Sequence, residues 1–264
     1  MLAIDWRRAD QRDVAFYSPY WISSALITAP EASAIVPTIT GTDIAAVSGS
    51  PDSLTQTAAG FVTAGFLDDD VIFVSGFSGA GATANLDFFT LAATATPGVA
   101  AATLTILAAE TSLLSDAATE SVTIVGPKAN ILFSFPKAGQ IIIVKEIVVE
   151  ILTGLTASSK IIVGGCTIPL ETSTTGDLAT ITDKDSYLVS GTITTPQTAG
   201  IYGPTTSPAS AFYTANAAVT WASPRIITGA ATAVPCISVW VANAAAITAG
   251  IFRVHALITR LPGV

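Results

Sequence analysis

His255 is the only histidine in the chain, so an imidazole base, nucleophile activator or metal ligand has one place to be. In the alternating stretch from Phe252 to Thr259 it shares a face with Arg253, Leu257 and Thr259. That face reads as exposed or at an interface, and a structural role for His255 is favoured over catalysis. A metal site built from several histidines is excluded within one chain. No Gly-x-Ser-x-Gly elbow and no phosphate-binding Gly-Lys-Ser/Thr motif occurs, and a triad could draw only on that one imidazole. Two carboxylates meeting in space could still serve a glycosidase, but no aromatic-rich cleft signature accompanies them. The expectation is a protein that is not an enzyme, with no catalytic, cofactor-binding or metal residues.

Asp68, Asp69 and Asp70 form the main acidic cluster. Consecutive positions diverge on a strand and lack the spaced oxygens of a calcium loop, so a solvated turn is favoured over a cation site. Asp183-Lys184-Asp185 carries its own counter-charge. Arg7, Arg8 and Arg12 are interleaved with Asp5, Asp10 and Asp13, which reads as a salt-bridged or solvated segment. With a net charge of −8, a sequence-independent hold on nucleic acid is not expected, because neutralising phosphates needs clustered Lys and Arg. Cys166 and Cys236 each lie in a strand-like apolar stretch. They read as small buried hydrophobes, with a disulfide open only if their strands are neighbours.

These residues need a frame, and composition restricts it. Abundant Thr, Val, Ile and Ala, punctuated by Gly and Pro, disfavours helices and points to an all-β fold. From Gln140 to Leu152, Ile141, Ile143, Ile147, Val149 and Ile151 are expected on one face and Glu146 and Glu150 on the other, with Lys145 the one exception on the apolar side. Shorter strands are expected at Ile161–Val163, Ile181, Tyr187–Val189 and Ile237–Val241, with a turn at Ser173–Asp177. The uncharged run from Ile226 to Phe252 is long enough to cross a bilayer, but its Pro, Gly and Thr content and the sequence Cys-Ile-Ser-Val-Trp-Val from Cys236 are strand chemistry. No membrane partner is expected. The first residues, Met1 to Arg8, lack a basic-then-apolar leader, so synthesis in the cytoplasm is the expectation.

A boundary is expected near Gly126-Pro127-Lys128. The resulting division is an extended N-terminal arm over 1–54, a first β domain over 55–126 and a second over 127–264. The arm is aromatic, and Trp6, Phe16, Tyr20 and Trp21 are its candidate partner contacts.

In the first block, Ala64-Gly65-Phe66-Leu67-Asp68-Asp69-Asp70-Val71-Ile72-Phe73-Val74-Ser75-Gly76-Phe77 is followed by a Gly-rich loop, by Asn85 to Phe89, and by Thr103-Leu104-Thr105-Ile106. This resembles a small β-barrel module of tailed-bacteriophage virion proteins, in which a Gly-Phe turn precedes a Gly-Asp-x-Ile-x-Val-Ser-Gly strand and a later Thr-Leu-Thr strand. Asp69-Asp70 stand where that pattern has Gly-Asp. The strand Ile141–Leu152, then Ser158 to Gly165 ending Ile-Ile-Val-Gly-Gly, and Ile247-Thr248-Ala249-Gly250 before the last strand resemble jelly-roll-like domains of capsid-decorating and tail-associated proteins. The resemblance implies a small β-barrel followed by a jelly-roll-like β-sandwich, in an accessory virion subunit.

Only 11% of the residues are charged against 50% hydrophobic, well short of the roughly 25% charged of an average soluble domain. Much of the surface must therefore be Ala, Thr, Ser and Gly, which suits a subunit covered by neighbours. The functional expectation is a non-enzymatic capsid decoration (cement) protein located in the virion, a homo-oligomer touching other virion subunits such as the major capsid protein. A tail-tube or neck subunit is the first alternative. The second is a receptor- or glycan-binding module presenting Ser190–Pro224.

Overall fold

The computed structural model describes residues 19–32, 35–79, 81–93, 97–108, 110, 113–127, 129–135, 139–156, 159–169, 181–188, 199–202, 225–228, 233–243 and 246–261. The chain is all-β. Among the described residues the strands form four antiparallel sheets, and none closes into a barrel.

The first two sheets enclose one core. In chain order their strands are β3 (Ile35–Gly41), β4 (Ile44–Val47), β5 (Ser53–Gln56), β6 (Val71–Ser75), β7 (Phe88–Thr90), β8 (Val99–Ala100), β9 (Thr103–Thr105) and β10 (Val122–Pro127). One sheet runs β4-β5-β9-β8 and the other β3-β10-β6-β7. Ile44, Leu54, Leu104 and Ile106 from the former meet Ile72, Val74, Phe89 and Ile124 from the latter, all buried. The sheets are joined along one side by the bridge Leu91↔Ile106. On the other side β3 turns into β4 without pairing with it, so the expected barrel stays open.

The second pair of sheets is built on two long strands. β12 (Ile141–Thr153) and β18 (Ile251–Leu261) pair antiparallel and are flanked by β1 (Tyr20–Ser23), β2 (Ile27–Thr28), β15 (Gly200–Tyr202) and β16 (Arg225–Thr228). The opposing sheet runs β11 (Asn130–Ser134), β17 (Ala233–Ala242), β13 (Lys160–Pro169), β14 (Ile181–Leu188). Its Ile161, Val163, Ile237 and Val239 interlock with Val149, Ile151, Phe252 and Val254 of the larger sheet.

The inward face read for β18 holds, since Phe252, Val254, Ala256 and Ile258 are fully buried, but Leu257 and Thr259 of the other face are buried as well. For β12 it needs a correction. Ile142 and Val144, not Ile141 and Ile143, share the core with Ile147, Val149 and Ile151. The register against β18 shifts between Val144 and Glu146, so Lys145 is the extra residue of a β-bulge. A bulge exchanges the two faces of a strand at that point, and Lys145 is thereby no exception on an apolar face.

The two halves stack face to face. Val71, Phe73, Phe88 and Val125, on the back of the β3-β10-β6-β7 sheet, pack with Ile162, Trp240 and Ala242, on the back of the β11-β17-β13-β14 sheet. The molecule is thus four β-layers deep, with a core, a seam and a second core in succession. This explains why all five residues of β6 are buried: Ile72 and Val74 face the core, Val71 and Phe73 the seam. At the seam's margin Lys160 is buried, donates through Nζ to the Leu86 carbonyl and lies 3.6 Å from Asp87 Oδ1. A buried ammonium is tolerated only when so partnered.

Strand pairing links residues across the expected boundaries. Residues 20–28 join the last strand, β18. Residues 35–56 supply β3, β4 and β5 to the first half. β10 ends at Pro127 in the first half and β11 starts at Asn130 in the second. The run 226–252 divides among β16, β17 and the start of β18, and no helix among the described residues is long and apolar enough to cross a membrane.

Candidate functional site

The acidic cluster acts on its own backbone. Asp70 accepts from the Leu67 amide at 2.8 Å and Asp68 from the Val99 amide at 2.9 Å, while Asp69 takes a positive φ of 65°. Together they close the turn that launches β6 and tether it to β8. Among the described residues no three His, Cys, Asp or Glu side chains converge as metal ligands. Burial pushes the Asp70 carboxyl up from 3.8 to about 6, opposed by the Leu67 amide and reinforced by Asp69 and Asp68. An acid with a raised folded value favours the folded state fully below its unfolded value and loses that contribution as pH rises through the folded one. Stability should therefore fall from about pH 4 to about pH 6 on account of Asp70. Asp70→Asn keeps an acceptor for Leu67 and should flatten that segment of a stability–pH curve measured by urea unfolding. An unchanged slope would show that the carboxyl is not the cause.

The two described aromatics of the predicted contact set, Tyr20 and Trp21, lie on β1, and Trp6 and Phe16 fall outside the described residues, as do Arg7, Arg8, Arg12 and the Ser173–Asp177 turn. Of Ser190–Pro224 only 199–202 are described. Among the described residues β1 is an edge strand, paired with β18 in the register Tyr20↔Ile258, Trp21↔Leu257, Ile22↔Ala256, Ser23↔His255. Ile22 packs against the core. Strand alternation turns Trp21 and Ser23 to the opposite face, and Trp21 is 50% exposed.

The same face carries a polar chain across three strands. Ser23 Oγ lies 2.7 Å from His255 Nδ1, and His255 Nε2 lies 3.1 Å from Glu150 Oε2. Arg253 Nε donates to that same carboxylate oxygen. In a neutral imidazole this assigns the proton to Nε2, donated to Glu150, and leaves Nδ1 to accept from the Ser23 hydroxyl. Arg253, with a smaller contribution from His255, holds the Glu150 carboxyl below its ordinary range.

Hydroxyl, imidazole and carboxylate in line is the first requirement of an activated serine nucleophile. Other requirements are missing at this place. The chain lies across the outer face of a sheet, its carboxylate is already committed to a guanidinium, and the neighbouring Ser24 amide is spent on the Val254 carbonyl at 2.8 Å, so it cannot steady an oxyanion. What the arrangement does is fasten an edge strand. Ser24 Oγ accepts from the Val254 amide at 3.0 Å, and the Arg260 guanidinium lies 5.9 Å from the centre of the Tyr20 ring. Each residue of β1 beside Trp21 is thus fixed to β18 or the core, so Trp21 is presented on a pinned backbone.

Sequence reading located His255, Tyr20 and Trp21 and missed Ser23 and Glu150 as their partners. Glu150 had a signal, the polar face of β12. Ser23 had none, since its partner is 232 residues away along the chain.

The fold and the site define an all-β protein with a fixed aromatic edge. No protein-family model, curated protein or solved structure matches the chain.

Proposed function

We propose that this chain is a non-enzymatic structural subunit of a virus particle, and specifically a capsid decoration protein that homo-oligomerises and buries surface against the capsid subunits around it. The observation that carries this reading is β1: a half-exposed tryptophan on a strand held by side-chain bonds on either side. A large aromatic with little conformational freedom left to lose is what an interface anchor requires. The sparsely charged composition supports the same reading, because charged groups are depleted at interface cores. So does the stacked architecture, since a subunit that spans a seam between neighbours must resist bending. In this reading the first half takes the place of the small barrel of the phage module and the second is jelly-roll-like.

The test is to mix the purified protein with undecorated capsids and image them. Regular occupancy of the shell is expected for wild type, and Trp21→Ala should reduce occupancy at least tenfold at limiting protein with the thermal midpoint unchanged. Rings or tubes that ignore the shell would instead assign the chain to the tail or neck, and saturable binding to host glycans would assign it to adsorption.

A further inference from the structure

The backs of β13 and β17, beyond the seam, carry a pair of cysteines that neither the packing nor the proposed function uses. The register of these strands is Ile162↔Trp240, Gly164↔Ser238, Cys166↔Cys236, so the two cysteines are directly opposed on one face, two pairs along from the tryptophan of the seam. Opposed residues of an antiparallel ladder have Cα atoms about 4.5 or 5.5 Å apart, within the roughly 4.4–6.8 Å that a disulfide spans. Both residues are buried, at 2% and 1% exposure, in a small cluster of their own against Val234. Both are free thiols.

We infer that Cys166 and Cys236 are a reversible dithiol–disulfide pair that locks β13 to β17 under oxidising conditions. The inference is independent of the virion reading, because it rests on register and burial alone.

The surroundings favour Cys166 as the attacking sulfur. Its Sγ lies 2.8 Å from Ser238 Oγ, and Cys236 is 3.3 Å from the Val234 carbonyl and within hydrogen-bonding reach of Cys166. Contact with Cys236, helped by Ser238 and opposed by burial, lowers the Cys166 thiol, and the same contact together with burial pushes Cys236 up. The first proton of the pair therefore leaves Cys166 rather than Cys236.

With a small-molecule disulfide as oxidant, the Cys166 thiolate attacks one of its sulfurs. A mixed disulfide forms, the S–S bond of the oxidant breaks, and one small thiolate leaves. Cys236 then loses its proton and attacks the Cys166 sulfur, forming the cross-strand bond and expelling the second small thiolate. The protein has given up two electrons and two protons, and the oxidant has become two thiols. Because both sulfurs are buried, the exchange waits on local opening of the strand ends and is slow.

The closed loop spans Cys166 to Cys236 and contains β14, β15 and β16, so the bond removes much freedom from the unfolded chain.

The experiment equilibrates the folded full-length chain in oxidised and reduced glutathione buffers of graded ratio until no further change occurs. It is then unfolded, alkylated with N-ethylmaleimide and weighed intact. As the buffer becomes oxidising, wild type should pass from two maleimides to none, lose about 2 Da, keep no glutathione, and revert with dithiothreitol. Its thermal midpoint should rise by roughly 10 °C. Cys236→Ser should show neither the mass loss nor the rise, and should either stay reduced or stop at one glutathione adduct. Two maleimides at every ratio, stable adducts on both cysteines, or a disulfide-linked dimer would overturn the pairing. An internal disulfide with no rise in the midpoint would overturn the lock.

Discussion

Trp240→Ala should destabilise the protein by about 3–5 kcal/mol, the range for truncating a buried tryptophan or phenylalanine, and lower its thermal midpoint by roughly 10 °C. Trp240 is 1% exposed and stands in the seam among Phe73, Phe88 and Ile162. The void left by its ring cannot close easily, because each wall is the back of a sheet whose front is locked into a core of its own. The substitution also removes the largest apolar contact holding the two halves together. Calorimetry should accordingly resolve one transition in wild type into two, since each half keeps its own core. A loss under about 1 kcal/mol, or a single unshifted transition, would mean that the seam contributes little.

Gly76→Ala should cost about 3 kcal/mol or more, a large penalty for the addition of one methyl group. Gly76 ends β6 with φ at +101°, a conformation that costs a side-chain-bearing residue on the order of 1–3 kcal/mol. A Cβ there would also sit 2.3 Å from the Ser121 carbonyl oxygen. That oxygen belongs to the backbone leading into β10, which pairs with β6 in the register Thr123↔Ser75, so it cannot move without disturbing the sheet. Denaturant unfolding would measure the loss. Gly65→Ala is the comparison: its φ of +94° carries a similar conformational penalty, but the nearest neighbour of an added Cβ is 3.9 Å away. The difference between the two variants isolates the steric contribution, and equal losses would show that the Ser121 contact relaxes freely.

Gly76 also illustrates what could be read in advance. It closes the stretch Asp70 to Gly76, and each position in that stretch answers to a local requirement. Asp70 caps the turn, β6 is apolar on both faces because both are covered, and the glycine turns the chain where no other residue fits. The inward face of β18 was legible for the same reason, since alternation is a property of neighbouring residues. β12 was misread by one position because a bulge depends on how the partner strand aligns, and Lys145 alone does not announce it.

The candidate site lay further out of reach. Tyr20 and Trp21 stood out by type, but their role as a pinned edge comes from Ser23 meeting His255 and from Tyr20 meeting Arg260 at the opposite end of the chain. Buried Asn85 is similar: its side chain donates to the Leu114 carbonyl and accepts from the Leu114 amide, both at 2.8 Å, pairing like a strand without being one.

By itself the sequence determined an all-β chain with little charge to show to solvent, the buried face of the last strand, and the acidic turn before β6. Each of these follows from propensity, sterics or alternation over a few residues. Only the tertiary structure decided that residues 20–28 close the last sheet, that four sheets stack through a seam centred on Trp240, that β12 carries a bulge, and that Cys166 faces Cys236. Those depend on which strands, tens to hundreds of residues apart, gain most by burying their faces together, and no local pattern encodes that choice.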